Sequence, residues 1–572
     1  MSLLSTNHAF QLITRILDPA EATEPVVEFA AQKPAIPLGR SGQPLPEDLP
    51  ENQGVSSRHI AAFLQELNRD PTLRMHSVLI LRHGKILCRA AFGAQRMDLP
   101  KYTFSACKSV VSLAVGLVMD DGLLRPEDKV VDFFPEECGP VSRRLLKDLT
   151  VEHLLTMTAT PMFNEASSMT CTDWVRGYFS SPGLGESGKK FQYNSLNTYM
   201  LSALVCRLTG ETLSDFLSRR LFGPMGIGDF YWETCPQGIE KGGWGLYLKP
   251  EDLAKLGVLI ENKGLWNGQR LISEEYLQKA TQTWAEAPES CGDFNYGWQI
   301  WVGRRDNTFL FNGMLGQNVL CYRDNDILLI SHAGNDENFQ QSRYFTIARE
   351  YFGGDFPDSL PRDAAGEREL RKTLQALSAC PGRVPDRAEF EAFAGKRFTA
   401  DDPCAASAGL LPLLLQAVEN SYSHGLQAIA VGGTRTMPEL FYEERDQLHH
   451  ITAGTREPVV QTLTFHGNVY RVAAQARFTH DDEENPVLRV RLDFLETPCT
   501  RILKLIRTPA GFTVRQEEFP GANYVRKLTD QAANAPAMRP ILSALLGSSD
   551  PDFLGWKLER IFAPSLKFRE DT

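Results

Sequence analysis

The chain has 572 residues, of which 42% are hydrophobic and 23% are charged, a composition that fits a folded globular protein and excludes disordered, collagenous and coiled-coil classes. At the usual ~100–200 residues per domain, this length allows three or four structural units, or one large catalytic domain with an appendix. The formal net charge of −11 argues against nucleic acid as a partner, because phosphate binding needs a basic surface.

The cysteines and the first residues of the chain indicate a compartment. The eleven cysteines are scattered with no C-x-x-C pair, so we expect buried thiols and neither disulfides nor a zinc site. Polar residues interrupt the apolar core that a secretory signal needs, and no apolar run approaches the ~18 residues of a membrane span. We therefore expect a cytoplasmic protein without a metal, a cofactor or a membrane partner.

The first part of the chain is predicted to hold one domain. Residues 1–55 form a lead-in segment, and a capped amphipathic helix begins near Ser56. Strand and helix patterns then follow in the order strand 77–81, strand 85–90, helix 105–120, helix 197–209, helix 250–262, strand 296–302, strand 318–322 and strand 327–332. Strands on both sides of a helical insertion predict an α+β domain over residues 56–353.

The second part of the chain begins after Gly353-Gly354. Residues 354–397 are rich in Pro, Ala and charged residues and are predicted to be a linker with one helical pattern over 369–377. Beyond it, strand patterns recur at 426–431, 460–465, 469–474, 488–494 and 502–506. They predict a separate β-rich accessory domain over residues 398–572.

The segment Phe104-Ser105-Ala106-Cys107-Lys108 carries the first candidate chemistry. A spacing of three residues places Ser105 and Lys108 on one helix face, so the amine can approach the hydroxyl. Burial lowers the pKa of a lysine, and a neutral amine can remove the serine proton. The motif alone is weak, because a helix-capping serine followed by a solvated lysine has the same sequence. The second copy, Ser187-Gly188-Lys189-Lys190, lies in a Gly- and Ser-rich loop, and we interpret it as chance.

Two later segments precede apolar elements. Tyr193, in the run Phe191–Ser195, can hydrogen-bond the attacking serine and return a proton to a leaving group, although most tyrosines only pack. The run Phe311-Asn312-Gly313-Met314-Leu315-Gly316-Gln317 enters a predicted strand. Its glycines allow close backbone approach, as an edge strand along a substrate needs, and an ordinary turn or bulge is the alternative.

In this order, the segments resemble the serine β-lactamase and penicillin-binding-protein-like superfamily. Residues 153–158 (HLLTMT) are similar to its HLLTMTSG segment, residues 221–227 to its LFxPLGM turn, and residues 242–254 to its GGLYxTxxDLA helix entry. The resemblance covers about residues 56–350. It implies a mixed sheet flanked by helices, with the site between an all-helical insertion and the sheet.

The resemblance also implies roles for residues. Ser105 becomes the acylated nucleophile, Lys108 its general base and Tyr193 the proton shuttle, and the backbone N–H groups of Ser105 and Met314 form the oxyanion hole. The remaining candidates are pocket residues: Ser195, Asn312, Gly313 and His332. For His332, a hydrogen-bonded structural histidine is the alternative.

The third motif departs from the lactamases and wall peptidases of the superfamily. Phe311-Asn312-Gly313 stands where they carry Lys-Thr-Gly or His-Thr-Gly, so the cation that holds a substrate carboxylate is missing. The chain looks closer to the class C-like esterase and aminohexanoate-dimer hydrolase branch. The resemblance therefore implies a serine hydrolase that forms an acyl-enzyme on a small-molecule ester or amide. The alternatives are acyl transfer from the same acyl-enzyme, β-lactamase or D,D-peptidase activity, and a non-catalytic binding protein. An oligomer formed through the C-terminal domain also stays open.

Overall fold

A computed structural model describes residues 32–168, 171–183, 185–336, 339–401, 408–419, 421–508, 511–521 and 562–571. Most of the predicted lead-in, residues 1–31, lies outside the described residues. The chain divides into two compact units. The first unit comprises Ile36–Phe92 and Arg96–Ser378, and the second comprises residues 32–35, Gly93–Gln95 and the described part of Ala379–Thr572. None of the helices in the described ranges is both long and apolar enough to cross a membrane.

A seven-stranded sheet forms the centre of the first unit. The strands of this unit are β1 (Met75–Arg82), β2 (Lys85–Ala91), β3 (Lys101–Tyr102), β4 (Tyr231–Trp232), β5 (Leu246–Leu248), β6 (Leu265–Trp266), β7 (Gln269–Arg270), β8 (Phe294–Tyr296), β9 (Trp301–Gly303), β10 (Thr308–Gly313), β11 (Gln317–Tyr322) and β12 (Ile327–Ala333). The central sheet has the order β2-β1-β12-β11-β10-β9-β8, and β3-β5-β4 and β6-β7 form two small sheets. The pairings in the central sheet are antiparallel throughout, a detail in which it differs from the mixed sheet that the resemblance implied.

Helices cover both faces of the central sheet. The helices of this unit are α1 (Ser57–Arg69), α2 (Cys107–Asp120), α3 (Pro140–Leu145), α4 (Val151–Leu155), α5 (Glu165–Ser168), α6 (Trp174–Ser180), α7 (Ser195–Thr209), α8 (Leu213–Leu217), α9 (Pro250–Glu261), α10 (Glu274–Ala280), α11 (Arg343–Phe352) and α12 (Ala364–Leu377). One face, with Ile80 and Leu329, packs against α1, α11 and α12. The other face, with Leu79 and Ile330, packs against α2 and α9. Every residue of β1 is buried, as expected of a strand that is covered on both sides.

Two predicted elements differ locally from the structure. The helix predicted from Ser105 begins with a 3-10 turn over Phe104–Ala106, and the α-helix itself starts at Cys107. The strand predicted over 296–302 is two strands, β8 and β9, because the chain turns between them at Gln299, whose φ is 60°.

The segment predicted to be a linker contributes an ordered helix to the first unit. Asp363 caps α12 through its carboxylate, which accepts from the backbone N–H groups of Ala365 and Gly366. Arg58 on α1 donates to Asp363 over 2.8 Å and to Glu369 over 2.7 Å. The division between the two units falls after Ser378.

The second unit contains a ten-stranded antiparallel sheet. Its helices are α13 (Arg387–Glu391) and α14 (Leu413–Glu419), and its strands are β13 (Lys396–Ala400), β14 (Leu426–Gly433), β15 (Pro438–Glu444), β16 (Leu448–Thr452), β17 (Val459–Phe465), β18 (Asn468–His480), β19 (Pro486–Phe494), β20 (Thr500–Thr508), β21 (Gly511–Phe519) and β22 (Ser565–Glu570). The first and last of these strands, β13 and β22, pair with each other. In β15, buried residues alternate with partly exposed ones, the pattern of a sheet with one face towards a core. The predicted α+β architecture with a C-terminal β-rich part is confirmed.

Candidate active site

Ser105 lies on a tight turn at the start of α2. Thr103 anchors the entry to this turn, because its backbone N–H and its hydroxyl each donate to the Leu246 carbonyl over 2.8 Å. Phe104 has a positive φ of 47°, a left-handed conformation that costs a non-glycine residue roughly 1–3 kcal/mol. The turn leaves Ser105 partly exposed, whereas its neighbours Phe104 and Ala106 are buried.

Lys108 lies one turn further along and is almost fully buried. Its amine is 2.8 Å from the Ser105 Oγ, 3.0 Å from the Ser195 Oγ and 2.6 Å from the Gly243 carbonyl oxygen. It also lies 4.9 Å from the centre of the Tyr193 ring. Removal from water lowers the pKa of Lys108 to about 8, because burial disfavours the ammonium form.

These contacts suit a neutral amine. A neutral Lys108 has two N–H groups, which can be donated to the Ser195 hydroxyl and the Gly243 carbonyl. Its lone pair is then free to accept the Ser105 proton. Among the described residues, Lys108 forms no salt bridge that would hold it in the charged form. The arrangement can therefore deprotonate a serine.

Tyr193 completes the cluster. Its side chain hydrogen-bonds that of Ser105, and this contact favours the phenolate, but desolvation is the larger effect and raises the pKa of Tyr193 well above its usual value. The ring stacks on Trp301 at 5.7 Å and meets Tyr296 edge to face at 6.1 Å. Tyr193 is therefore a neutral hydroxyl that can donate a proton.

The chain around Tyr193 is held by local hydrogen bonds. The Gln192 backbone N–H donates to the Met157 carbonyl over 2.7 Å. Asn194 caps α7 by accepting from the Leu196 N–H, and its amide donates to the carbonyls of Pro161 and Phe163. Ser195, the first residue of α7, is thereby brought against Lys108.

Gly243 is a further site residue, and no sequence motif predicted a role for it. Its carbonyl is the nearest of the three partners of the Lys108 amine. A Cβ added to Gly243 would lie 2.5 Å from the Ser195 carbonyl oxygen, and one added to Gly242 would lie 2.8 Å from the Thr198 carbonyl oxygen. Only glycines let this loop pass so close to α7. The Gly-Gly pair was the one sequence signal for that approach.

The end of β10 approaches the Ser105 turn from the sheet. A Cβ added to Gly313 would lie 2.2 Å from the Thr103 carbonyl oxygen. The hairpin turn that follows contains Met314 and is fixed by the Gln317 amide, which donates to the carbonyls of Met314 and Ala333. The close approach expected at Gly313 is therefore present, and it puts the Met314 turn at the strand end beside the Ser105 turn.

Asn312 and His332 are not part of the cluster. Successive residues of a strand point to opposite faces, so Asn312 points away from the face that Gly313 presents to Thr103. Asn312 is buried and donates to Asn318 over 2.7 Å. His332 is buried beside Ser77, with 3.5 Å between its Nδ1 and the Ser77 Oγ, and burial, helped by Lys101, lowers the pKa of His332 to about 3. Both side chains belong to the interior of the sheet region.

The second S-x-x-K copy forms no comparable cluster. The Ser187 hydroxyl lies 3.3 Å from the Thr160 backbone nitrogen and 3.2 Å from its hydroxyl, and Lys190 is exposed. Phe311, at the place of the missing cation, is fully buried. Within the described ranges, no group of three or more His, Cys, Asp or Glu residues is arranged to hold a metal ion.

The sequence and the fold are similar to those of known proteins. Residues 60–343 match the Beta-lactamase family. The 6-aminohexanoate-dimer hydrolase of Paenarthrobacter ureafaciens is 26% identical over 284 residues, which span 46% of this chain and 64% of the relative's length. Among solved structures, a proposed 6-aminohexanoate-dimer hydrolase from Bacillus anthracis matches with a TM-score of 0.46 and 15% identity, over 60% of this chain and 92% of that one. A penicillin-binding protein from Bacillus halodurans matches with a TM-score of 0.41 and 15% identity, over 51% and 98%. Residues 60–343 thus form a Beta-lactamase family domain, which confirms the family resemblance carried by the sequence motifs.

Proposed function

We propose that the protein is a serine hydrolase that acts through an acyl-enzyme on Ser105. The observation that carries the proposal is the buried Lys108 amine, which lies 2.8 Å from the Ser105 Oγ and forms no salt bridge with any described residue. The family of residues 60–343 and the named activity of the curated relative support hydrolysis as the reaction class.

The first half of the reaction is acylation. Lys108 takes the Ser105 proton as the Oγ bonds to the substrate carbonyl carbon, and the carbonyl π electrons move to its oxygen. The backbone N–H groups of Ser105 and Met314 receive this oxyanion. When the intermediate collapses, the bond to the leaving group breaks and Tyr193 protonates that group, while the Lys108 ammonium restores the Tyr193 proton.

The second half releases the acyl group. Water adds to the Ser105 ester with the neutral Lys108 and Tyr193 pair accepting its proton, and the Ser105 Oγ leaves and recovers a proton from the same pair. Hydrolysis regenerates the starting state of all three side chains. An alcohol or amine in place of water would give acyl transfer by the same steps.

The proposed substrates are carboxylic esters or small amides. Phe311 provides no charge where lactamases and wall peptidases of the superfamily hold a substrate carboxylate. The aromatic side chains that pack on Tyr193, namely Trp301 and Tyr296, are uncharged as well and offer no counter-charge to a substrate. The curated relative is named a 6-aminohexanoate-dimer hydrolase, and the match covers 64% of its length. A small amide is therefore included among the substrates that we propose for this chain.

Labelling with a fluorophosphonate probe tests the nucleophile. We expect wild-type protein and Ser187→Ala to be labelled equally, and Ser105→Ala not to be labelled. Lys108→Ala and Tyr193→Phe should each slow labelling by about 10²–10⁴-fold, the usual loss when an acid–base partner is removed. Labelling that survives in Ser105→Ala, or is lost in Ser187→Ala, would refute the choice of serine.

A further inference from the structure

Gln299 occupies a strained, buried position in the turn between β8 and β9. It is 1% exposed and has a positive φ of 60°. A glutamine in the left-handed region costs roughly 1–3 kcal/mol, and such residues persist only where the surroundings over-determine them. The contacts of Gln299 must therefore stabilise this conformation.

Those contacts involve both the main chain and the side chain of Gln299. Its backbone N–H donates to the Leu155 carbonyl over 2.9 Å, and its carbonyl accepts the Ser109 hydroxyl over 2.8 Å. Its side-chain amide donates to the Leu154 carbonyl over 2.7 Å, and its side-chain oxygen accepts the Thr198 hydroxyl over 2.7 Å. One residue is thus bonded to three helices.

The three helices are the ones that present the proposed reacting groups. Ser109 follows Lys108 directly on α2, and Thr198 lies three residues after Ser195 on α7. Leu154 and Leu155 end α4, and the next turn of chain supplies the Met157 carbonyl that holds Gln192, the neighbour of Tyr193. The bonds to Ser109 and Thr198 therefore end one residue from Lys108 and three residues from Ser195. The bonds to Leu154 and Leu155 end two to three residues before Met157, whose carbonyl holds the chain next to Tyr193.

The side-chain bonds require an amide. A carboxylate would keep the acceptor for Thr198 but would turn an oxygen towards the carbonyl of Leu154, where no proton is available. A methionine would keep the volume and lose both bonds. Buried polar partners left without hydrogen bonds cost about 1–3 kcal/mol each.

We propose that Gln299 is a positioning residue that holds α2, α4 and α7 in the register that brings Lys108, Ser195 and Tyr193 together around Ser105. This role rests on the proposed function. It acts through the helices, since Gln299 touches none of the reacting groups in the structure.

The test compares Gln299→Met and Thr198→Val with Ser112→Ala as the matched control. Ser112 is on α2, one turn after Ser109, and donates to the Trp298 carbonyl over 2.7 Å. Like Ser109, Ser112 therefore bonds α2 to the turn between β8 and β9, but its bond to that turn does not involve α7. The readouts are kcat and KM for a p-nitrophenyl ester, their pH profile, and amide hydrogen exchange at the end of α4 and in the first turn of α7.

We expect Gln299→Met to lower kcat by about 10–100-fold with KM within threefold of wild type. The acid limb of its pH profile should move to higher pH, since a loosened Lys108 gains water. Thr198→Val should give a smaller loss that is not additive with Gln299→Met, because the two residues share one bond. Ser112→Ala should match wild type in kcat and in pH profile. In Gln299→Met, exchange should quicken at the end of α4 and at the start of α7, where the two lost side-chain bonds end. In Ser112→Ala it should stay at the wild-type rate at both places.

Unchanged kcat, pH profile and exchange in Gln299→Met would overturn the positioning role, and so would equal losses in Gln299→Met and Ser112→Ala. If wild-type Ser105 is not labelled by the fluorophosphonate, the proposed function fails by itself. The exchange measurement then decides separately whether Gln299 sets the register of the helices.

Discussion

The charge state of Lys108 controls the proposed chemistry at the scale of single residues. A lysine in water has a pKa of about 10.4 and is charged at neutral pH. Burial lowers the pKa of Lys108 to about 8, and the three acceptors around its amine, Ser105, Ser195 and Gly243, are all uncharged groups. A modest rise above neutral pH is therefore enough to produce the base.

This gives a prediction for the pH dependence. The ammonium form cannot accept the Ser105 proton, so acylation should rise with pH through about 8 and level off above it. The check is the rate of fluorophosphonate labelling, or kcat/KM for an ester, between pH 6 and 10. A rate independent of pH over that range, or one still rising in proportion to hydroxide at its upper end, would contradict the role of Lys108 as a base.

Helix geometry alone predicted only the contact between residues that are close in the chain, whereas Tyr193 and Ser195 came from the family resemblance. Ser105 and Lys108 are three positions apart on one helical turn, so their contact follows from helix geometry. The Gly243 carbonyl lies 135 positions from Lys108 along the chain. A backbone carbonyl carries no residue signature, and only the fold determines which loop reaches the amine.

At the scale of elements, close packing of backbone fixes the site. The loop that supplies the Gly243 carbonyl lies against the first turn of α7, and the end of β10 lies against the turn before α2. In both places a side chain as small as a methyl group would clash with main-chain atoms. Main-chain neighbours cannot rotate away as a side chain can, so the whole element must shift.

Gly243→Ala is therefore expected to lower kcat/KM by at least about tenfold while the protein stays folded. The added Cβ would sit 2.5 Å from the Ser195 carbonyl oxygen and 2.7 Å from the Ser195 Cβ, which pushes the carbonyl away from Lys108. Circular dichroism and ester turnover measure the two properties. Gly354→Ala is the control, because a Cβ there meets nothing within 4 Å. Wild-type turnover in Gly243→Ala would show that the carbonyl contact is dispensable.

The type of most elements could be predicted from hydrophobic periodicity, and the departures have local causes. The predicted strand over 296–302 fits an apolar run, but the left-handed Gln299 divides it, and no sequence rule requires that conformation of a glutamine. Asn312 was grouped with Gly313 as a pocket residue. The two-residue period of a strand separates them, since adjacent residues point to opposite faces.

At the scale of the whole molecule, the chain passes between its two units more than once. Residues 32–35 belong to the second unit and Ile36–Phe92 to the first. After Ser378, all described residues belong to the second unit. Lys33 anchors the early segment in the second unit: its amine bonds the Val469 carbonyl over 2.6 Å and the Glu496 carboxylate over 3.0 Å. The ion pair is buried.

Lys33→Met should therefore destabilise the second unit and leave the proposed site intact. Glu496 keeps its ion pair with Arg471 but loses the buried hydrogen bond from the Lys33 amine, and a hydrogen bond to a charged group is worth about 1.5–3 kcal/mol. We expect a lower midpoint for an unfolding transition that leaves Ser105 labelling at 25 °C unchanged. Arg387→Ala, which breaks an exposed pair with Glu391 in the same unit, should have almost no effect. Equal midpoints for Lys33→Met and wild type would contradict the anchoring role.

The β-rich character of the C-terminal part was predictable, but the pairing of its first strand with its last was not. Runs of alternating residues predicted strands near β14, β17, β18, β19 and β20. The pairing of β13 with β22 joins residues more than 160 positions apart and depends on which strand edges remain open once the neighbours have paired. Periodicity contains no information on that choice.

The ion pair between Lys33 and Glu496 has a consequence for biosynthesis, because its two residues are far apart in the sequence. The two residues are 463 positions apart. At about 5–20 residues per second, a ribosome needs roughly 25–90 s to reach Glu496 after making Lys33. The intervening Beta-lactamase family domain is translated in that time, while the segment before it has to wait for a partner that is translated later. A chain that ends before Glu496 would therefore contain the whole candidate site but would lack the carboxylate that pairs with Lys33.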